Sequence, residues 1–524
     1  MDTVEVMHLV AAAQQGAADE VRRTAEERLV EIGGSVEAGP AGLHFVRAVA
    51  FFAVNDYRAA LAASNLMLAA ADREGDAGWR SIALSFRAGQ HIVLGESELA
   101  EYNIDAVLRD LVAAEAALAA GVSDPSLGSN AHIGIGINYD LLRLYELAEP
   151  HFAAAYELSC RVGDPDSAVP AICQANLAAV HLEWALELYR IGEVDEAEKH
   201  SLIAESHAVQ VGQHAAALTP YWRDVGGLYT GCARADGEDP EGAAAQISRY
   251  ADRIRACERM DIWLFGMPFL AVALDRSGHR AEALAVVEEA LPHLPEHGTW
   301  LVAAALTHTH AVLLARSGSP AVRAALRYGD ELATALWRQR QRTLHTAETL
   351  RSYEQLRVEH ERVSRSAQTD PLTGVANRRA FDRALAHLAS RTDGGLTAVL
   401  VVDLDKFKPL NDTRGHAAGD HALQAVAAAL ARHIRGGDLL ARTGGDEFCA
   451  LLDDSDIDDA AQVGERIVHA VRELNLGVTL SVGIAAGSST AVVGTVERAD
   501  RAMYAAKSGG GDRTRIAPPR MPVD

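Results

Sequence analysis

Arg442-Thr443-Gly444-Gly445-Asp446-Glu447-Phe448 lies between two short apolar runs, Leu439-Leu440-Ala441 ahead of it and Cys449-Ala450-Leu451-Leu452 behind it. Apolar runs separated by Gly-Gly predict a β-hairpin, because glycine takes the positive φ angles of a two-residue turn at little cost. Asp446 and Glu447 follow the bend at once. Two carboxylates are thereby held near the tip, beside a backbone with no side chains to obstruct a phosphate. A Gly-Gly pair alone is most often a plain turn. It gains weight here from a second acidic strand end earlier in the chain.

That second piece is Leu396-Thr397-Ala398-Val399-Leu400-Val401-Val402-Asp403-Leu404-Asp405. A run of β-branched and apolar residues reads as a buried central strand, and it stops on a carboxylate pair. Acidic groups at a strand's end, next to an acidic hairpin tip, make a site for Mg²⁺, a hard cation that takes carboxylate and carbonyl oxygens. The plain alternative is that Asp403 and Asp405 merely end the strand.

The chain continues as Lys406-Phe407-Lys408-Pro409-Leu410-Asn411-Asp412 and then Gly415-His416-Ala417-Ala418-Gly419-Asp420. Together with the strand, the Gly-Gly-Asp-Glu-Phe segment and an opening Asp370-Pro371-Leu372-Thr373-Gly374-Val375-Ala376-Asn377-Arg378-Arg379, this order resembles the GGDEF family of diguanylate cyclases. The resemblance covers roughly the last third of the chain. It implies a ferredoxin-like α/β palm, of the kind shared with class III nucleotidyl cyclases and polymerases. The activity implied is condensation of two GTP into cyclic di-GMP with loss of two pyrophosphates, dependent on Mg²⁺ or Mn²⁺ and needing two copies of the domain.

Residue roles follow from the resemblance, motif by motif. It implies Asp403, the Leu404 carbonyl and Asp446 as metal ligands, and Asp446 with Glu447 as the groups that activate the ribose hydroxyl. Lys408 would offset phosphate charge, with the Lys406 and Phe407 amides cradling the phosphates and Gly444 and Gly445 letting the backbone pass close beneath. Guanine presents N1–H and N2 donors side by side, a pair that one carboxylate accepts. Asp420 fits that task, with Asn411 on another edge and His416 nearby; without the resemblance, Gly419-Asp420 reads as a helix start capped by Asp. Arg435-Gly436-Gly437-Asp438 matches the family's inhibitory product site, where Arg reads guanine O6 and N7 and Asp reads N1 and N2. The alternative there is a helix end with a left-handed glycine and a solvated ion pair. One departure stands out: where the family ends Ala-Lys-x-x-Gly-Arg-Asn, this chain reads Ala506-Lys507-Ser508-Gly509-Gly510-Gly511-Asp512-Arg513. Lys507 matches and Gly511 replaces the arginine; either Arg513 reaches the phosphates from a flexible loop or phosphate affinity is weaker.

At 524 residues the chain is long enough for several domains. A formal charge of −23 argues against a nucleic-acid surface. No apolar run approaches the ~20 residues of a membrane helix. The start lacks a basic leader, and the five cysteines show no Cys-x-x-Cys spacing, so a reducing cytoplasm is expected.

The first 330 residues are rich in Ala and Leu, with polar turns at 55, 95, 143, 192, 237, 278 and 318, intervals of 40 to 49 residues. Ala60, Ala148, Ala197 and Ala283 each follow a turn by five residues and begin a second helix. Such spacing predicts an all-α solenoid of stacked helical hairpins. It resembles tetratricopeptide repeats, most clearly at Leu188–Ala197, though with a longer period. The stack is read either as a surface for a protein or peptide partner or as a dimerisation scaffold. Glu282-Ala283-Leu284 and Glu289-Ala290-Leu291 are read as ordinary repeat-helix residues. The histidines here are read as single satisfied or exposed groups, and the tryptophans, all before position 340, as core anchors. Glu331–Ala367 carries no Gly or Pro, and Thr349, Tyr353, Leu356, His360, Val363 and Ala367 keep the four-three spacing of a coiled-coil seam. Upstream the same phase falls on Arg342 and Gln339 while Leu336 and Leu344 miss it, so a single solvated helix is the alternative. The expected organisation is a repeat domain over 1–330, a helical connector over 331–367, the α/β domain over 368–516 and a disordered tail over 517–524.

Overall fold

The computed structural model describes residues 3–97, 103–163, 167–214, 219–294, 299–315, 320–366, 368–391 and 395–518. The chain divides into two units, Met1–Gln355 and Leu356–Asp524.

The described residues of the first unit are helical. After α1 (Thr3–Ala12) and α2 (Ala18–Gly33) come α3 (Ala41–Ala53) with α4 (Tyr57–Glu74), and α5 (Ala77–Ser97) with α6 (Ile104–Ala119). The series continues with α7 (Pro125–Leu141) and α8 (Tyr145–Val162), α9 (Val169–Ile191) and α10 (Val194–Gln213), and α11 (Pro220–Ala233) and α12 (Pro240–Ala256). It closes with α13 (Met260–Arg276), α14 (Arg280–Ala290), α15 (Trp300–Ala315) and the 47-residue α16 (Pro320–Ser366). Asp56, Asn103, Asp124 and Asp239 accept from backbone amides at the starts of α4, α6, α7 and α12, satisfying donors that a helix start leaves open. Ala60, Ala148, Ala197 and Ala283 are fully buried, as close packing within each hairpin requires.

The expected turns at 55, 143, 192, 237 and 278 fall between helices. Gly95 does not: it sits inside the last turns of α5, and the capping Asn103 marks where the next helix begins. Gly318 and Ser319 lie outside the described residues. Glu282 is exposed and Ala283 buried on α14, so that tripeptide is an ordinary helix face. The expectation of single histidines is corrected. His132 and His151 meet Nδ1 to Nδ1 at 2.9 Å across α7 and α8, and His181 and His200 repeat the contact at 2.8 Å across α9 and α10. In each pair the nearby carboxylate, Glu115 or Glu149, approaches the far ring nitrogen, so no three donors converge on a point. Burial holds His132 and His200 down to about 4.

α16 spans the expected helical connector and carries a second face besides the expected seam. Ala333, Trp337, Arg340, Leu344, Ala347 and Arg351 keep a four-three spacing, and this face belongs to the repeats. Leu344 and Ala347 join the core formed with Leu84, Leu108, Tyr139 and Phe152. The Arg340 guanidinium is buried, donates to the Arg143 carbonyl and both oxygens of Glu146, and stacks on Trp337 and Tyr145 at 4.4 and 5.0 Å. Arg351 Nε donates to Glu115 at 2.7 Å. The seam residues Tyr353, Leu356 and Val363 lie on another face, two residues out of phase and so about 200° around the helix. They are 68%, 70% and 54% exposed; Ala367 lies outside the described residues. The two phases explain why Leu344 misses the seam. Arg340→Ala strips the partner from Glu146 and leaves a void between rings, so the repeat unit should lose about 2–4 kcal/mol. A urea midpoint within error of wild type would contradict this.

The second unit holds a six-stranded sheet in the order β1-β3-β4-β2-β5-β6, with β1 (Ala376–Asn377), β2 (Leu396–Asp405), β3 (Leu439–Arg442), β4 (Glu447–Asp453), β5 (Thr479–Ser488) and β6 (Arg513–Ile516). Its helices are α17 (Arg378–Ala389), α18 (Phe407–Arg414), α19 (His416–Ala431), α20 (Ile457–Glu473) and α21 (Val492–Ser508). β2 is central, antiparallel to β4 and β5, and buried from Thr397 to Asp405. Its alternation divides the core. Ala398, Leu400, Val402 and Leu404 pack with residues of α19 and α20, whereas Val399 and Val401 pack with residues of α17 and α21. α18 and α19 are separated at Gly415, whose φ of 80° suits glycine. β6 was not anticipated and replaces the expected flexible loop at Arg513. Ala517 is buried and its amide donates to the Ile484 carbonyl at 2.8 Å; residues 519–524 of the expected tail lie outside the described residues.

Candidate active site

Period-two alternation sets the site. Asp403 and Asp405 continue the Val399–Val401 face of β2, the face packed against α21. Where the valines stop, α21 also stops, and Lys507 in its last turn places Nζ 2.6 Å from Asp403 Oδ1. α21 can approach because Gly483 of β5 has no side chain: a Cβ there would lie 2.0 Å from the Ala499 carbonyl and 2.2 Å from the Met503 nitrogen.

The hairpin brings in the other carboxylates. Asp403 pairs with Glu447 in register, and the Leu404 amide donates to the Asp446 carbonyl at 3.2 Å. Asp403 and Asp446 therefore sit at one strand end, as the sequence led us to expect. The reason for the glycines is different. The bend is a four-residue loop, Thr443–Asp446, in which the Thr443 and Gly444 amides both donate to the Glu447 carbonyl at 3.0 and 3.3 Å, and neither glycine has a positive φ. Gly444 is needed for space, since a Cβ there would come within 2.7 Å of Glu447 Oε2. A Cβ on Gly445 would meet nothing within 4 Å, so the backbone beside the carboxylates is open.

Charge in this corner is negative in excess. Burial raises the Asp403 carboxyl above its usual range, Lys507 opposes the rise, and Asp446 and Asp405 add to it. Burial works against the charged Lys507, yet the hydrogen bond to Asp403 and the field of the three aspartates raise its pKa overall. Both shifts favour holding positive charge here. Hard oxygen donors with surplus negative charge suit a hard divalent cation, and Asp403 and Asp446 are the two carboxylates placed to hold one.

The remaining expected residues fall in three places. Lys406 takes a left-handed φ of 60° before α18, Phe407 packs partly into the core, and Lys408 is exposed in the first turn. Asn411 Oδ1 is buried without a hydrogen-bond partner and lies where a Cβ on Gly419 would be, at 1.9 Å. α19 begins at His416, so Gly419 and Asp420 are inside it and Asp420 is not the cap; His416 and Asp420 are exposed one turn apart. Away from the strand end, Arg435 Nε donates to Asp438 Oδ1 at 3.2 Å, and Asp438 Oδ1 accepts from the Asp453 amide at 3.1 Å. Neither Gly436 nor Gly437 is left-handed.

The roles of three quoted residues, Arg442, Asp370 and Asp405, escaped the sequence reading. Arg442 donates to Asp370 at 3.1 Å and to the Gly445 carbonyl at 2.7 Å, tying the opening motif to the bend. Burial would raise Asp370, but Thr373 and Arg442 outweigh it and hold the carboxyl below its usual range. Arg442 ends a strand beside the motif, a signal that could have found it. Asp405 accepts from Thr479 and Ser481, partners remote in sequence.

The sequence is also similar to known proteins. Residues 367–513 match the family described as diguanylate cyclase, GGDEF domain. The diguanylate cyclase DgcP of Pseudomonas aeruginosa is 39% identical over 161 residues, 29% of this chain and 24% of that protein. The response regulator PleD of Caulobacter vibrioides is 36% identical over 157 residues, 28% of this chain and 35% of that protein. The crystal structure of the coiled coil and GGDEF domain of DgcB from Caulobacter crescentus, in complex with c-di-GMP, is 34% identical and covers 33% of this chain and 97% of that one, with a TM-score of 0.31. Residues 367–513 are a GGDEF domain. The chain spans about a third or less of the length of these two curated relatives.

Proposed function

We propose that the chain is a diguanylate cyclase that joins two GTP into cyclic di-GMP and releases two pyrophosphates. The observation that carries this reading is the meeting of Asp403 and Asp446 at one strand end, through the 3.2 Å Leu404–Asp446 backbone bond, beside an unobstructed glycine backbone.

In each half-reaction a ribose 3′-oxygen forms a bond to the α-phosphorus of the other nucleotide, and the bond from that phosphorus to the bridging oxygen breaks. Asp403, the Leu404 carbonyl and Asp446 would hold Mg²⁺ or Mn²⁺, which when bound supplies charge neutralisation and a more acidic hydroxyl. Glu447, exposed at the hairpin tip, stands to take the hydroxyl proton. Lys408, with the open Phe407 amide at the start of α18, faces the phosphates and offsets charge as pyrophosphate leaves. Gly444 and Gly445 keep the backbone clear, and Lys507, beside Asp403 at 2.6 Å, would offset phosphate charge from the end of α21. Asp420 accepts guanine N1–H and N2–H, and the orphaned Asn411 Oδ1 accepts another donor of the base; His416 flanks them. ATP lacks the paired donors and binds poorly.

One domain holds one nucleotide, so the reaction needs two copies. The exposed Tyr353, Leu356 and Val363 stripe supports a homodimer through α16. The docking of Arg340 and Arg351 on the repeats supports regulation through the same helix, with the helical hairpins open to a protein or peptide partner. No described helix is long and apolar enough to cross a membrane, in keeping with a cytoplasmic enzyme.

Arg435 and Asp438 are proposed as the inhibitory product site. Arg435 is 60% exposed while Asp438 is buried at 5%, so the guanidinium is the accessible member. Arg435→Ala should raise the cyclic di-GMP concentration for half-inhibition about tenfold; unchanged inhibition in a product titration would remove the assignment. The second reading, a non-catalytic GTP or cyclic di-GMP receptor, rests on Gly511 where the family carries arginine. Incubation of the full chain with GTP and Mg²⁺ separates them. Cyclic di-GMP and pyrophosphate are expected; bound GTP without turnover would establish the receptor.

A further inference from the structure

Asp405 is buried and takes no part in the mechanism above. Its Oδ1 accepts from Ser481 Oγ at 2.7 Å, and its Oδ2 from Thr479 Oγ1 and the Asp512 amide, both at 2.8 Å. With both oxygens engaged by neutral donors, Asp405 differs from Asp403, which Lys507 holds through Oδ1. The Asp512 bond fastens the glycine turn that follows α21. The Gly510 and Gly511 amides close the helix end by donating to the Lys507 and Ala506 carbonyls. Gly511 has a φ of 71°, and a Cβ there would come within 2.7 Å of the Asp405 carboxylate. An arginine at 511 is thus incompatible with this turn.

Arg513 lies just beyond. Its Nε donates to the Gly511 carbonyl at 2.9 Å, and Cβ atoms on Gly509 or Gly510 would sit 3.6 and 3.5 Å from its guanidinium nitrogens. The guanidinium therefore folds back over the glycine turn toward the helix end that carries Lys507. Register places it on the correct face as well. Arg513 pairs with Ser481, and Ser481 with Asp403; cross-strand partners share a face, and two strand spacings set the Cα atoms about 10 Å apart.

We propose that Asp405 is a positioning residue: it clamps the 509–512 turn so that Arg513, in place of residue 511, presents a guanidinium to nucleotide phosphate. This rests on the nucleotide-site reading above. The test is a double-mutant cycle on the full chain, measuring affinity for guanosine 5′-(β,γ-imido)triphosphate with Mg²⁺. Arg513→Ala and Asp405→Asn should each weaken binding about tenfold, and the double variant should be no weaker than either single, because both remove one contact. Gly511→Arg should weaken binding rather than restore it. Losses that multiply in the double variant, or tighter binding by Gly511→Arg, would overturn the proposal. Should Asp405→Asn fail to fold, Ser481→Ala with Thr479→Val replaces it in the cycle, and the Asp512 amide should then lose hydrogen-exchange protection; retained protection also counts against the clamp. Wild-type protein that binds no analogue sinks the nucleotide-site reading and Arg513's role with it, an outcome distinct from additive losses.

Discussion

Asp446→Asn is expected to reduce cyclic di-GMP synthesis by at least about a thousandfold, the scale on which removal of a central electrostatic group acts. The exchange is nearly isosteric. The backbone bond from Leu404 to the Asp446 carbonyl does not depend on the side chain, so the strand end should keep its shape. What changes is charge: the corner loses one of the negative groups that hold positive charge beside Lys507 and Asp403. Release of pyrophosphate from GTP, followed continuously, checks this directly. A variant that retains a tenth of wild-type turnover would show that Asp446 is not a ligand, and the proposed chemistry would need another centre.

Gly483→Ala should be the most damaging single methyl group in the second unit. The added carbon would lie 2.0 Å from the Ala499 carbonyl and 2.2 Å from the Met503 nitrogen, and both are backbone atoms that no rotamer change can move aside. α21 must lift from β5, which exposes the buried Ala499, Ala502 and Met503 surface. Overpacking typically costs 1–3 kcal/mol, and backbone collision places this case at the upper end or beyond, about 4 kcal/mol. Lifting α21 also carries Lys507 away from Asp403, so activity should fall along with stability. Faster hydrogen exchange across Thr479–Ser488 and Val492–Ser508 is the expected signature. Unaltered exchange there would mean that helix and strand are not in backbone contact.

Much of the site was legible because its signals are local. A run of valines ending in Asp-x-Asp is a central strand whatever its partners, and period-two alternation puts both aspartates on one face. The alanines that follow four of the seven repeat turns foretold close helix packing, and all four are buried. One expectation was right in outcome and wrong in cause, and another missed its position. Gly-Gly at the hairpin reads as a demand for positive φ, whereas Gly444 instead yields space to the Glu447 carboxylate. Gly95 reads as a turn in the sequence, but glycine inside a helix is tolerated, and the Asn103 cap is the better marker.

By itself the sequence determined the strand and hairpin that meet at Asp403 and Asp446, the repeat hairpins and the family of the last third, since each depends on periodicity or on motifs contiguous in the chain. Only the tertiary structure decided which face of α16 serves the repeats and which stays exposed, because one helix carries two four-three phases and sequence does not say which neighbour claims each. It likewise decided the role of Asp405, whose donors lie more than seventy residues downstream. A buried carboxylate is assigned to metal or to clamp by the hydrogen bonds that reach its oxygens, and those come from strands that only folding brings alongside.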